Sequence, residues 1–333
     1  MTVWHSPGRP YQQEDALQKL HLDTDLGGDI DDLCALAMAL NWPEVELVGV
    51  TTNSDDGGRR AGYARYALNL AGRGDVPVAA GADAAQGYYR VWPGLPDEAL
   101  YWPQPVPPLP GALEGALTLL ERSIEQGALI VAIGALTNLA LLEKRRPGIL
   151  RRARLTLMGG YLFPPRAGYP AWGNDSDWNF QVDVASAYAV IQHSRPTLVP
   201  LTITIETALR RASLPALQAA GPLAQLIARQ AEPFAQENHF DVQIGQTCPA
   251  LPADIVNFLH DPLACAIGLG WRDGVEMREV PLTLEIKDGW LHERVDPAGQ
   301  PTQVVTRVDG DRFSEFWLNT VINRNHETIE ESR

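Results

Sequence analysis

The stretch His21-Leu22-Asp23-Thr24-Asp25-Leu26-Gly27-Gly28-Asp29-Ile30-Asp31-Asp32 decides the reading of this chain. It opens as a short strand over residues 20–25 that ends on acids. It closes as a helix over residues 31–41, with apolar Leu33, Leu36, Ala37 and Leu40 at the spacing of one helical face. Gly27-Gly28 between them let the backbone turn sharply around a ligand. Five carboxylates, Asp23, Asp25, Asp29, Asp31 and Asp32, fall within ten residues. Like charges packed this closely repel one another. A helix N-terminus accommodates one or two aspartates, but it does not account for two inside the strand end or for the paired glycines. A bound divalent cation offsets the repulsion, and all-oxygen donors select a hard ion, Ca²⁺ or Mg²⁺, over zinc. The ligand spacing and the missing closing glutamate exclude an EF-hand loop.

Outward from this segment the chain alternates. Residues 44–52 (EVELVGVTT) form a β-branched run that reads as a buried strand, and 59–71 reads as a helix. Further helices are predicted at 111–126, 137–144 and 184–193, and further strands at 129–134, 155–160 and 197–205. Strand following helix in this order gives an α/β fold with a mostly parallel central sheet flanked by helices. In such sheets ligands bind at the carboxyl ends of the strands, where the acidic cluster lies. Residues 279–306 read as a small C-terminal β-hairpin region, and 313–322 as a closing amphipathic helix. Residues 91–110 hold seven of the 26 prolines and read as a surface loop; 161–177, rich in Pro, Gly and aromatics, reads as a loop over the strand ends. Residues 1–19 are expected to be an extension, with 20–333 a single domain.

Composition narrows the function classes. The chain has 333 residues and a formal charge of −14, which argues against a nucleic-acid partner because phosphate contacts need clustered basic side chains. Cys34, Cys248 and Cys265 are too few for a disulfide framework, and none forms a CxxC pair. No signal-peptide pattern opens the sequence and no apolar run reaches the ~20 residues a membrane helix needs. A cytoplasmic protein without a membrane partner is expected.

Five segments in register resemble the inosine–uridine-preferring nucleoside hydrolase family. They are Asp23–Asp32 with its helix, Val48-Gly49-Val50-Thr51-Thr52, Ile133-Gly134-Ala135-Leu136-Thr137-Asn138, Met158-Gly159-Gly160 followed by Asn174, Asp177-Trp178-Asn179 and Asp183, and His260-Asp261-Pro262. The resemblance covers roughly residues 20–323. It implies a Rossmann-like nucleoside hydrolase fold and cleavage of ribonucleosides to free base and ribose. It also implies one Ca²⁺ that holds the attacking water and the sugar diol. By match, Asp25, Asp32 and Asp261 supply carboxylate oxygens to the ion, and Ile133 supplies its main-chain carbonyl. Asp25 is in addition the general base. Asp31 holds a ribose hydroxyl, with Asp29 interchangeable with it because the motif is two residues longer than the family's commoner form. Asn174, Asp177 and Asn179 hold the remaining hydroxyls, and Met158 lines the pocket beneath the sugar. Asp56 stands where the family often has an asparagine, and Asp177 where it usually has a glutamate. His260 is the matched general acid for the leaving base; His239 is a second candidate, and Trp172, Trp178 and Phe240 could stack a base. The family tends to homodimers and homotetramers, and nucleoside salvage is the implied role.

The chemistry fits that inventory. Breaking an N-glycosidic bond builds positive charge on the sugar, which a carboxylate-rich pocket stabilises. Two other readings start from the same residues. Asp23-Thr24-Asp25 resembles the opening of the haloacid-dehalogenase phosphatases, whose first aspartate is a nucleophile, although Gly27 stands where those enzymes need Thr or Val. A non-catalytic nucleoside- or ribose-binding protein would use the same pocket without turnover. Substrate specificity is expected from residues 88–110, 161–177 and 234–246.

Overall fold

The computed structural model describes residues 17–83 and 94–323. Its centre is a nine-stranded sheet. In chain order the strands are β1 (Gln18–Thr24), β2 (Val45–Thr52), β3 (Val78–Ala80), β4 (Leu129–Ala132), β5 (Arg154–Met158) and β6 (Thr197–Val199). After a short ribbon of β7 (Leu209–Arg210) and β8 (Ile255–Asn257) come β9 (Glu276–Lys287), β10 (Trp290–Val295) and β11 (Gln300–Arg307). Across the sheet the order is β10-β9-β11-β6-β5-β4-β1-β2-β3. From β3 to β11 every pairing is parallel, and β9 and β10 add antiparallel strands at one edge. The C-terminal hairpin region is therefore a continuation of the main sheet, joined to it where β11 pairs with β6.

Helices cover both faces because the central strands are apolar on both. All four side chains of β4 are buried: Leu129 and Val131 pack with the helix Asp31–Asn41 and the helix His260–Leu269, while Ile130 and Ala132 pack with Leu113–Glu125, Thr137–Arg145 and Val184–His193. Such two-sided burial is what a continuous apolar run in a parallel strand anticipates.

Three expectations need correction. β1 begins at Gln18, so Gln18 and Lys19, read as extension, pair with Val45 and Glu46. The strand expected over 197–205 ends at Val199; Pro200 has no N–H to continue a ladder, and Leu201–Thr204 form one helical turn instead. Residues 234–246 are not a free loop: Phe234–Asn238 finish the helix Pro222–Asn238, and Asp241–Gly245 form a further turn. Residues 1–16 and 88–93 of the expected extension and specificity loop lie outside the described residues.

Candidate active site

The parallel order of β1, β4 and β5 sends their carboxyl ends to one side of the sheet, and a cavity of about 230 Å³ opens there. Asp25 follows directly on β1, and Asp29, Asp31 and Asp32 enter from the glycine turn and the first turn of the helix behind it. Ile133 and Met158 close the floor from the ends of β4 and β5. Asp261, 229 residues beyond Asp32 in the sequence, arrives on the first turn of the helix His260–Leu269. Oxygens of Asp31, Asp32 and Asp261 lie within 4.8 Å of one another, and all three residues are buried.

Burial raises the proton affinity of each of these acids. For Asp31, Asp32 and Asp261 the carboxyl is pushed well above the usual carboxylate range, first by loss of water and then by the neighbouring aspartates. The offsetting contacts are local. The Thr24 hydroxyl donates to Asp32 Oδ1, and the Asp261 N–H donates to Asp31 Oδ2 at 3.3 Å. Arg60 donates to the main-chain oxygen of Asp25 and, at 2.9 Å, to that of Ser54. Its charge and a hydrogen bond from the Trp178 side chain lower the pKa of Asp25, which burial raises. These contacts leave a cluster of hard oxygen donors converging on one point, and a divalent cation fits them.

The surroundings hold this cluster rigidly. Asp23 is fully buried beneath it, where Oδ1 accepts from Thr51 at 2.5 Å and from Asn138 at 2.8 Å. Asn138 also donates to Thr52 O and accepts from Ala82 N, so the Leu-Thr-Asn turn stitches β1, β2 and the chain beyond β3 together. A Cβ on Gly134 would stand 2.8 Å from both Asp25 Oδ1 and Asn53 Oδ1. Only glycine lets the chain after β4 pass this close to the acid.

Most of the sequence-assigned residues meet here. Asp25, Asp29, Asp31, Asp32, Ile133, Met158, Asn179, His260 and Asp261 all line the cavity, as do Trp172, Trp178 and Phe240. Asn179 is anchored by donating to Met158 O at 3.1 Å. Four residues are elsewhere. Asp56 is exposed, because the chain turns outward after β2 at Asp56–Gly58; buried Asn53 is the polar residue of this segment beside Asp25. Asn174 donates to Leu291 O at 2.7 Å and accepts from Gln181, which commits it to the β10 edge. Asp177 is buried and accepts from Gly160 N at 2.8 Å. His239 is exposed at the left-handed end of a helix.

His260 shows part of its ring to the cavity, and burial of the rest pushes its imidazole down to about 3. Its Nδ1 lies 2.6 Å from Thr204 Oγ1, and that hydroxyl donates to Leu201 O at 3.0 Å. With its single hydrogen so used, Thr204 accepts from Nδ1–H, and Nε2 is left as an acceptor. The sequence reading missed Asn257, Ser176 and Leu201, which also line the cavity. No motif marks them; Asn257 carries a polar side chain in an apolar strand, the one local signal available.

A fully buried, hydrogen-bonded Asp23 has no access to the cavity, so it does not serve as a phosphatase nucleophile. An α/β protein with a carboxylate cleft for a metal at its strand ends is the class that fold and site define. Over residues 20–315 the chain matches the family described as inosine-uridine preferring nucleoside hydrolase, and it belongs to that family. It is 30% identical over 305 residues to the pyrimidine-specific ribonucleoside hydrolase RihA of Salmonella schwarzengrund, covering 86% of this chain and 87% of that protein. It is 29% identical over 251 residues to the protein of the same name in Citrobacter koseri, covering 71% and 75%. Among solved structures, a plant nucleoside hydrolase superposes with a TM-score of 0.74 at 19% identity, over 92% of this chain and 99% of the other. The purine-preferring ribonucleoside hydrolase from Gardnerella vaginalis superposes with the same score at 22% identity, over 91% and 98%. These likenesses support the α/β fold with its large, mostly parallel sheet.

Proposed function

We propose that the protein is a Ca²⁺-dependent ribonucleoside N-ribohydrolase, releasing a free base and ribose from ribonucleosides. Hydrolysis of the N-glycosidic bond is the reaction of the family to which it belongs. The observation that carries the finer reading is that Asp31, Asp32 and Asp261 bring oxygens within 4.8 Å of one another in the cavity that Asp25 also lines. Asp25, Asp32, Asp261 and the Ile133 carbonyl would hold the ion; such an ion supplies charge that acidifies water and orients a sugar diol.

This chain's residues do the rest. Asp25, with its proton affinity raised by burial, takes a proton from the attacking water. Trp178 and Arg60 fix it from the side chain and the backbone. Asp31 and Asn179 hold sugar hydroxyls, and the acidic walls stabilise the positive charge that develops on the ribose. His260 faces the leaving base beside Trp172 and Phe240. Its neutral ring offers Nε2 as an acceptor; the general-acid role requires the protonated imidazolium, with Nδ1–H still donated to Thr204 and Nε2–H facing the base. The RihA relatives are named pyrimidine-specific, which makes uridine and cytidine the first substrates to assay.

Three further readings go with this one. The chain from residue 18 onward acts as one catalytic unit, supported by a nine-stranded sheet whose strands lie between Gln18 and Arg307. The enzyme works in the cytoplasm, a reading supported by three buried free thiols, and in nucleoside salvage, a reading supported by the family resemblance. It works as a homo-oligomer, supported by the family resemblance. No helix among the described residues is long and apolar enough to cross a membrane. The test is a panel of purine and pyrimidine ribonucleosides incubated with the calcium-loaded protein, with free base separated by chromatography. Base release from at least one ribonucleoside is expected; release from none by folded, loaded protein contradicts the reading.

A further inference from the structure

Asn257 closes β8 and lines the inner cavity while only 1% exposed. Its Nδ2 donates to Asp29 Oδ1 at 2.5 Å, an oxygen that also accepts from the N–H groups of Ile30 and Asp31. This contact fixes the amide. Turned over, it would set its carbonyl oxygen against the carboxylate, so Nδ2 must face Asp29. The Oδ1 atom has no hydrogen-bond partner among the described residues. A buried acceptor left unmet is costly, and such an atom in a cleft is accounted for by a ligand group that donates to it.

We propose that Asn257, oriented by Asp29, accepts a hydrogen bond from the 5′-hydroxyl of the substrate's ribose; this rests on the ribonucleoside reading above. Ribose in a nucleoside has three free hydroxyls. The ion, Asp31 and Asn179 would account for the vicinal pair, leaving the hydroxymethyl group. Asn174 and Asp177, which the family resemblance assigns to the outer hydroxyls, are engaged by Leu291, Gln181 and Gly160. Asn257 supplies a neutral acceptor in the same cavity, suited to a neutral hydroxyl. The motif's two extra residues, compared with the family's commoner form, lengthen the turn that delivers Asp29 to it. Asp29 also stands where the inner cavity meets an outer one lined by Leu95, Tyr101 and Glu237, at the edge of the sugar site.

The test compares uridine and inosine with their 5′-deoxy counterparts, whose leaving groups are identical, on calcium-loaded enzyme. Wild-type kcat/KM is expected to be about tenfold higher for the ribonucleoside, the usual effect of one neutral hydrogen bond. Asn257→Leu is expected to lose that tenfold on the ribonucleoside and little on the 5′-deoxy substrate. Absence of a wild-type preference overturns the proposal. So does an equal loss on both substrates, which would make Asn257 a prop for Asp29 or a contact to the base. Should Asn257→Leu melt below the assay temperature, Asn257→Ser, too short to reach, gives the same two ratios. Calorimetry with a C-nucleoside, whose carbon–carbon glycosidic bond does not hydrolyse, and its 5′-deoxy form reads the contact without turnover. A tenfold affinity difference there, lost in the variant, keeps the proposal even if hydrolysis is not found; equal affinities end it.

Discussion

Replacing Asp32 with Asn removes one of three carboxylates whose oxygens lie within 4.8 Å of one another, while keeping a side-chain oxygen that the Thr24 hydroxyl can reach. Two effects of opposite sign follow. In metal-free protein at pH 8 the substitution relieves repulsion. Two unit charges 4.8 Å apart interact by about 3 kcal/mol at an effective dielectric constant near 20. Partial protonation of the cluster lowers this, so a stabilisation of about 1–3 kcal/mol is expected. In metal-loaded protein the variant lacks a ligand. A cation at a hundred times its Kd stabilises the wild type by about 2.7 kcal/mol. For a chain of 333 residues that is a Tm rise of about 4 °C, most of which the variant forfeits.

The assay is thermal unfolding of both proteins at pH 8, in chelator and in calcium. The order of stability should reverse: the variant melts higher in chelator and lower in calcium. The pH dependence follows from the same charges. Burial and mutual repulsion raise the folded-state pKa of Asp31, Asp32 and Asp261, so the folded, metal-free protein holds more protons than the unfolded chain. The contribution of these three acids to stability is therefore fully present below about pH 4, the unfolded carboxylate pKa, and is lost as pH rises through the folded values. The variant's advantage in chelator should shrink as pH is lowered toward 5. A variant that melts below wild type in chelator at pH 8, yet gains the same increment from calcium, would refute the reasoning.

Other outcomes follow from single residues. Asp25→Asn should lower kcat by about 10²–10⁴, the range for a removed general base, measured as ribose released from the best substrate. Gly134→Ala would set a methyl group 2.8 Å from Asp25 Oδ1 and should lower kcat about tenfold or more with the fold retained, checked by kinetics and circular dichroism together. Asn174→Ala breaks a hydrogen bond to Leu291 O; it should cost about 1 kcal/mol in a denaturant melt while leaving KM unchanged, whereas a sugar contact would raise KM. A 2′-deoxyribonucleoside should be hydrolysed at least about a hundredfold less efficiently than its ribonucleoside, because the groups that hold the missing hydroxyl are left unpaired.

The parallel centre of the sheet was legible because its strands there are buried on both faces. Runs such as Leu129–Ala132 carry apolar side chains at every position, and the helices between the parallel strands stop shortly before a Gly or Pro, namely Pro43, Gly72, Gly127, Pro147 and Pro196. The helices at 31–41 and 184–193 appear within the bounds their apolar spacing sets. The acidic floor of the site was legible for the same local reason, since Asp25 to Asp32 are neighbours in sequence. Its partners across the cavity were less so. Asn174 and Asp177 carry the right chemistry, but their orientation depends on the β10 edge and on Gly160, far away in sequence. Asp56 lies four residues after Thr52, where the family often has an asparagine, but the chain turns outward over Asp56–Gly58, with a φ of +64° at Gly57. Asn257 is decided by a tertiary contact with Asp29 across 228 residues, which no spacing rule reveals.

The most direct test of the account is a calcium titration of metal-stripped protein with base release followed continuously. Activity should start at zero and rise to a plateau at one ion per chain. Full turnover by the stripped protein, or a rate indifferent to stoichiometric calcium, would contradict the claim that the buried aspartates work by holding one hard dication.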